Sequence, residues 1–428
     1  MTAAIKVYSA QLVVPVVSPP IPDGAVAVQD GKILHLGDRN WLVQLLRDNN
    51  RDFTEEYWEG ILTPGLVNAH THLQYTCMGG VAERYYNGFD DWGDAFDAAY
   101  TAGSHDWKAA AATGAQMLLQ SGCTAAADVV TDIAAAGALH DAGLRGIAYW
   151  EIYGKKNSDW DATQAQLVRQ QVQRIPSPPG AGVSPHAPYS LDVKPLLEIP
   201  DIARQEGLRL HIHLGEAYKE RGLRNRSDDW PSLGVPNFSE LRAQGLGVSS
   251  TQFVDHLGVL GPDCHIAHGI YMDEIDRAIL RSRGTAVALC PRSNEIIGLD
   301  MPPVAQYLKE GNLVAVGTDS LSSSPSLELL ADVGMLYHIA REQGYGGADL
   351  HERLLHAATL GGATALGMHV GHQRIGQLVV GAAADFACFE VPTLNAADGI
   401  ASLVEDGVGR ARRTVIAGTT VWQHEQTV

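Results

Sequence analysis

LTPGLVNAHTH, Leu62 to His72, is the stretch on which the reading of this chain turns. A short apolar run ends in His70 and His72, and side chains two apart on a strand share a face. Both imidazoles can therefore reach one point at the end of the strand. Three further apolar runs close in the same way: LRLHIHLGE (208–216) carries His213, CHIAHG (264–269) carries His268, and NLVAVGTDS (312–320) carries Asp319. A lone histidine at a strand end is more often structural, and a lone Asp after Gly-Thr is more often a helix N-cap. Five such residues at equivalent strand ends point elsewhere. One metal ion at the mouth of a barrel would collect His70, His72, His213, His268 and Asp319.

Outward from that stretch, eight apolar strand candidates alternate with helical segments. The strands are Thr63–Ala69, Thr124–Val130, Arg145–Trp150, Ala181–Ser184, Leu208–His213, Cys264–His268, Thr285–Leu289 and Leu313–Gly317. Helices are expected between them, for example over Lys108–Leu119, Thr163–Arg174 and Met272–Arg281. Eight βα units predict an α/β fold, a (β/α)8 TIM-like barrel whose chemistry sits at the carboxyl ends of its strands. The two chain ends have another texture. Ile5–Ser9, Gly24–Val28 and Lys32–Gly37 are short alternating segments, and GQLVVGAAADFACFEV with RRTVIAGTTVWQ repeats the pattern after about residue 377. These ends are expected to pair into one small β-sandwich, dividing the chain into 1–60, 61–370 for the barrel, and 371–428. Asn225–Gly247, rich in Asp, Pro, Gly and Ser, is expected to be a loop insertion between the fifth and sixth strands.

Composition bounds the partners. The chain has 428 residues, 45% of them hydrophobic, enough for one large barrel with a small appendage. A net charge of −18 disfavours nucleic acid and anionic membranes, so a small molecule is the expected partner. Cys77, Cys123, Cys264, Cys290 and Cys388 have no CxxC spacing, which suggests neither a disulfide framework nor a cysteine zinc site. Free thiols of that kind fit a reducing cytoplasm. No apolar run reaches the length of a membrane span.

The ordered set PGLVNAHTH, SPHAPYS, HIHLGE, AHG, ALCPRSN and VGTDSLSSSPSLELL, with the return motif GQLVVGAAADF, resembles the amidohydrolase superfamily in its branch of amino-heterocycle deaminases and chlorohydrolases. The likeness spans nearly the whole chain. Carried over residue by residue, it implies that His70, His72, His213 and Asp319 ligate one divalent metal, with Zn2+ first and Fe2+ as the alternative. Relatives with a second metal use a carboxylated Lys at the end of strand four; His186 of SPHAPYS stands there instead, which favours a single ion. Such an ion would make water acidic enough to supply hydroxide at neutral pH. Glu216, three residues after His213, matches the family's proton shuttle, which would protonate a ring nitrogen and assist the departure of ammonia. The resemblance further implies that His268 and Asp319 hold the attacking water, with Asp319 accepting its proton.

Substrate contacts are drawn from the same likeness. His186 is expected to face the ligand. Arg292 of CPRSN could grip a carboxylate or ring acceptor, or could equally be a salt-bridged Arg of the barrel rim. Trp92, Tyr149, Trp150 and Glu151 are available around a heterocycle, and Glu83, Asp94 and Asp97 around a ribose. CPRSN together with GTDSLSSSPSLELL looks more similar to deaminases of 6-amino-6-deoxyfutalosine, which serve menaquinone synthesis, than to guanine or triazine enzymes, although Ser320 and Pro325 depart from the Gly and Asn of many relatives. Three alternatives stand beside that substrate: deamination of methylthioadenosine, S-adenosylhomocysteine or adenosine; hydrolysis of a halogenated or cyclic amide ring; and a non-catalytic, ligand-binding member of the fold. Pairs of subunits are common among such barrels, so a homodimer stands beside a monomer.

Overall fold

Two sheets divide the chain. The structure, a computed structural model, describes residues 4–178, 180–222, 236–245, 247–393 and 395–424. Strands β1 (Ile5–Val13), β2 (Ile21–Gln29), β3 (Lys32–Asp38) and β4 (Phe53–Pro64) come from the N-terminal end. The middle of the chain supplies β5 (Leu66–Thr71), β6 (Cys123–Val130), β7 (Arg145–Ile152), β8 (Ala181–Pro185), β9 (Arg209–Leu214), β10 (Cys264–His268), β11 (Ala286–Leu289) and β12 (Val314–Val316). The C-terminal end adds β13 (Phe386–Phe389), β14 (Ala411–Ile416) and β15 (Thr419–Gln423). Both ends join one mixed sheet in the order β15-β14-β13-β4-β1-β2-β3, with β4 parallel to β1 and antiparallel to β13.

The middle strands pair in parallel from β5 to β12 in sequence order, the α/β barrel that the alternating pattern predicts. Their residues are almost all buried, as in a parallel sheet covered on both faces. Helices Trp107–Gln120, Ala162–Arg174 and Glu274–Arg283 cover it within two residues of their expected bounds. Closure comes between β5 and the end of β12, where Thr318 N and Asp319 N both donate to the His70 carbonyl at 3.1 and 3.0 Å. Asn68 Nδ2 adds a bond to Thr318 Oγ1 at 2.8 Å. These bonds set the positions of two expected metal donors directly beside each other.

Two expectations need correction. Thr63 and Pro64 belong to β4, paired with Ala387 and Phe386, so the first barrel strand begins at Leu66. The chain changes sheet at Gly65, where a Cβ would lie 2.1 Å from Thr124 Oγ1. The loop expected over Asn225–Gly247 falls partly outside the described residues (223–235 and 246), but Phe238–Ala243 is a helix. Asn237 caps it, its side chain accepting from Glu240 N at 2.9 Å. All five cysteines are free, and among the described residues no helix is long and apolar enough to cross a membrane.

Candidate active site

At the carboxyl ends of β5, β9, β10 and β12 the chain brings His70, His72, His213, His268 and Asp319 together, all buried. The ring nitrogens and carboxylate oxygens of His70, His72 and His213 lie within 4.8 Å of one another, as do those of His70, His268 and Asp319. His72 Nε2 and His213 Nε2 face each other at 3.3 Å. Asp319 Oδ1 is 3.4 Å from His70 Nε2 and 3.6 Å from His72 Nε2. Burial disfavours charge on the imidazoles and pushes His70 down to about 3, so the rings are neutral and offer lone pairs.

The backs of these groups decide where the lone pairs point. His213 Nδ1 donates to the His186 carbonyl at 3.0 Å, leaving Nε2 bare toward the cluster. Asp319 Oδ2 accepts from Ser293 Oγ at 2.7 Å and Ser323 Oγ at 2.8 Å, which leaves Oδ1 for the histidines. Burial alone would raise the Asp319 carboxyl, but the imidazoles around it, His70 first and then His72 and His268, outweigh burial and hold it well below the usual range. His70 Nε2 and His268 Nε2 have no hydrogen-bond partner among the described residues. His268 (φ 72°) and Asp319 (φ 59°) adopt left-handed backbone, which costs roughly 1–3 kcal/mol each and recurs at functional sites. Three histidine nitrogens and one monodentate carboxylate converging on one point are a donor set that fits a divalent ion.

Glu216 stands beside the cluster, its Oε1 3.5 Å from His268 Nε2. Tyr189 donates its hydroxyl to Oε2 at 2.8 Å, so one oxygen is held and the other is left toward the cluster. Burial raises the Glu216 carboxyl to about 7, against the opposing effects of His213 and Tyr189. A proton can therefore reside on this side chain or leave it near neutral pH. Beneath it, Glu220 curls back across the turn. Glu220 Oε2 accepts from Gly215 N at 2.9 Å, and Oε1 accepts from Glu216 N at 3.0 Å and Ala217 N at 2.9 Å. One fully buried carboxylate thus fixes the backbone that carries Glu216.

The cluster opens into a cavity of about 400 Å3. Phe89, Trp92, Phe96 and Tyr100, spaced along one face of helix Phe89–Thr101, form an aromatic wall, with Asp97 on the same helix also reaching the cavity. His186 lines the cavity too, its Nδ1 bonded to Ser190 Oγ at 2.8 Å. Of the aromatic and acidic residues weighed from sequence, Trp92, Glu151 and Asp97 line the cavity, whereas Tyr149, Trp150, Glu83 and Asp94 do not. Arg292 is a correction. Its guanidinium does not line the cavity but is tied to Asp332 Oδ2 at 2.7 Å, Ser326 Oγ at 2.7 Å and the Glu328 carbonyl at 3.0 Å. Asp332 is fully buried, and the pair satisfies itself, which is the rim reading of this Arg.

Sequence reasoning passed over Tyr189, Glu220, Tyr153, Ser293 and Ser323. Tyr189 lay within the quoted SPHAPYS, and Ser293 and Ser323 within CPRSN and SLSSSP, so the motifs contained them without indicating their partners. A profile of the amidohydrolase family matches residues 61–421. The chain belongs to the amidohydrolase family. One relative within this amidohydrolase family is the 5-methylthioadenosine/S-adenosylhomocysteine deaminase of Nitratidesulfovibrio vulgaris strain Hildenborough, 29% identical over 385 residues, covering 88% of this chain and 80% of the relative. Two solved structures share the fold. The zinc-bound adenosine deaminase of Xanthomonas campestris has a TM-score of 0.78 at 22% identity, covering 97% of this chain and 92% of that one. The aminofutalosine deaminase of Helicobacter pylori in complex with methylthio-coformycin has a TM-score of 0.79 at 19% identity, covering 97% and 99%.

Proposed function

We propose that this amidohydrolase is a metal-dependent hydrolytic deaminase of an adenosine-like nucleoside, replacing the 6-amino group with oxygen and releasing ammonia. The observation that carries it is the convergence of bare histidine lone pairs and Asp319 Oδ1 beside Glu216, at the floor of an aromatic-walled cavity. His70, His72, His213 and Asp319 would hold one divalent ion, Zn2+ before Fe2+ for three imidazoles and one carboxylate. When bound, such an ion would supply acidity to water, bringing its pKa down to about 7.

The rest is done by side chains of the chain. His268, its Nδ1 turned to Asn294 Oδ1 at 3.3 Å, presents Nε2 to the attacking water and orients it. Glu216 Oε1 takes the proton from that water and carries it to the ring nitrogen, while Tyr189 keeps Oε2 out of the exchange. Asp319 accepts the proton left on the hydroxyl of the adduct, and that proton passes through the emptied Glu216 carboxylate to the amine, which leaves as ammonia. Phe89, Trp92, Phe96 and Tyr100 offer faces on which a purine can stack, and Asp97 an acceptor for ribose hydroxyls. His186, which also lines the cavity, contacts the ligand.

Within this class, the relatives named for methylthioadenosine and S-adenosylhomocysteine support a nucleoside altered at its 5′ position. The 6-amino-6-deoxyfutalosine reading is the second one, supported by likeness of motifs but without Arg292 as a carboxylate partner. Ammonia release from adenosine, methylthioadenosine, S-adenosylhomocysteine and 6-amino-6-deoxyfutalosine, measured side by side, tests the reading. Ammonia from at least one of them is expected, with methylthioadenosine ahead of the carboxylated substrate. Zinc-loaded protein that releases none would turn the search to halogenated or cyclic amide rings.

A further inference from the structure

The interior of a barrel like this one is ordinarily filled by layers of branched aliphatic side chains. Here the layer below the metal cluster is built otherwise. Ala69, Ala125, Ala127, Ala286, Ala288 and Ala315 are small and pack with Val67, Val129, Ile147 and the ring of Tyr149, and the buried rings of His211 and His265 lie against that Tyr149 ring. Burying such polar rings is costly unless they are bonded to something that matters. The ring centroids of His211 and His265 are 4.6 Å apart, and those of Tyr149 and His265 5.4 Å.

Both histidines bond to the segment that carries His70. His265 Nε2 donates to the Ala69 carbonyl at 2.9 Å, one residue before it. His211 Nε2 meets His70 Nδ1 at 3.0 Å, with the two rings nearly parallel at 12°. If His70 is to offer Nε2 to an ion, its proton must sit on Nδ1, and His211 Nε2 must then be the acceptor. His211 consequently keeps its own proton on Nδ1. Strand geometry explains the pairing, because His211 and His213 lie two apart on β9 and share its inward face.

We infer that His211 is a positioning residue for the metal centre: it accepts the His70 Nδ1 proton, fixes the tautomer and plane of that ring, and so raises the affinity of the cluster for its ion, with His265 holding the His70 backbone in place. The inference rests on the metal reading above. Partners of this kind behind a ligating histidine contribute about 10–100-fold in metal affinity.

The test is zinc affinity, measured by competition with a chromophoric chelator on protein stripped of metal, together with thermal unfolding of the stripped forms. His211→Leu is expected to weaken zinc binding about 10–100-fold, while the stripped variant unfolds at or above the temperature of the stripped parent, since an apolar residue replaces a buried polar one. His211→Gln, whose amide oxygen can accept from His70, is expected to recover most of the loss. If the Leu variant does not fold, His211→Met, of similar reach and without an oxygen or nitrogen acceptor, takes its place. Leu or Met variants that bind zinc as tightly as the parent, or a Gln variant as weak as they are, would overturn the inference and leave the metal reading standing. A parent protein that binds no zinc would bring down both.

Discussion

Burial changes what the Glu216 carboxyl can do beside the cluster. A carboxyl ordinarily ionises near pH 4, but burial brings this one to about 7. Since the carboxylate is the form that can take a proton from water, the rate is expected to fall as pH drops through that value, with the midpoint lowered when a cation is bound nearby. Glu216→Gln should lose about 10^2–10^4-fold in kcat and with it this acid limb. A rate that stays flat from about pH 5 to about pH 9 at full metal occupancy would contradict the assignment. Glu220 acts one layer below. Gln at 220 has a single acceptor oxygen for the three backbone N–H groups of 215–217, so Glu220→Gln should cost about 1–3 kcal/mol in stability and lower kcat while zinc affinity is kept. Chemical denaturation and a zinc titration separate those two effects; unchanged stability and kcat would remove Glu220 from the account.

At the scale of elements, the barrel was legible because each strand is a short apolar run and each candidate ligand closes one. His70, His72, His213, His268 and Asp319 needed only local pattern and the rule that barrel chemistry gathers at the carboxyl ends of strands. Glu216 was found through its spacing from His213. Arg292 was not legible. Its partner Asp332 lies 40 residues on, in helix Leu329–Glu342, and whether a guanidinium turns to such a helix or to the cavity depends on packing that sequence spacing does not encode. Glu220 was hidden for a similar reason, since its value lies in three backbone donors that converge only once the turn at 215–217 is formed. The strand boundary at Gly65 was missed because one apolar run serves two sheets. Helix Phe89–Thr101 gives the next prediction. No residue of it is fully buried, yet its aromatic face lines the cavity, so Phe96→Ala should leave zinc binding intact and raise KM roughly threefold to tenfold, as expected for losing about 0.5–1.5 kcal/mol of aromatic contact. A KM equal to that of the parent would move the nucleoside base to another wall.

For the whole molecule, the two sheets are fastened to each other below the barrel, away from the chemistry. Arg145 at the start of β7 forms a two-pronged ion pair with Asp385, which is 2% exposed and also accepts from Ala417 N at 2.8 Å. The Asp385 carbonyl receives Gly65 N at 3.1 Å, at the point where the chain passes from one sheet to the other. Asp385→Ala leaves the Arg145 guanidinium with Gln373 Oε1, at 3.0 Å, in place of its ion pair and the Ala417 N–H without its acceptor, and should destabilise the protein by about 3 kcal/mol, read by denaturant unfolding. A loss within experimental error would mean that this ion pair adds nothing to the hold of one sheet on the other. The proposed activity needs an ion at the mouth of this barrel and a nucleoside above it. The most direct test is to strip the protein of metal, return zinc in measured steps, and follow ammonia release from methylthioadenosine at each step. Activity that rises in proportion to bound zinc and levels off at one ion per chain is the predicted result; a stripped protein as active as the loaded one would contradict it.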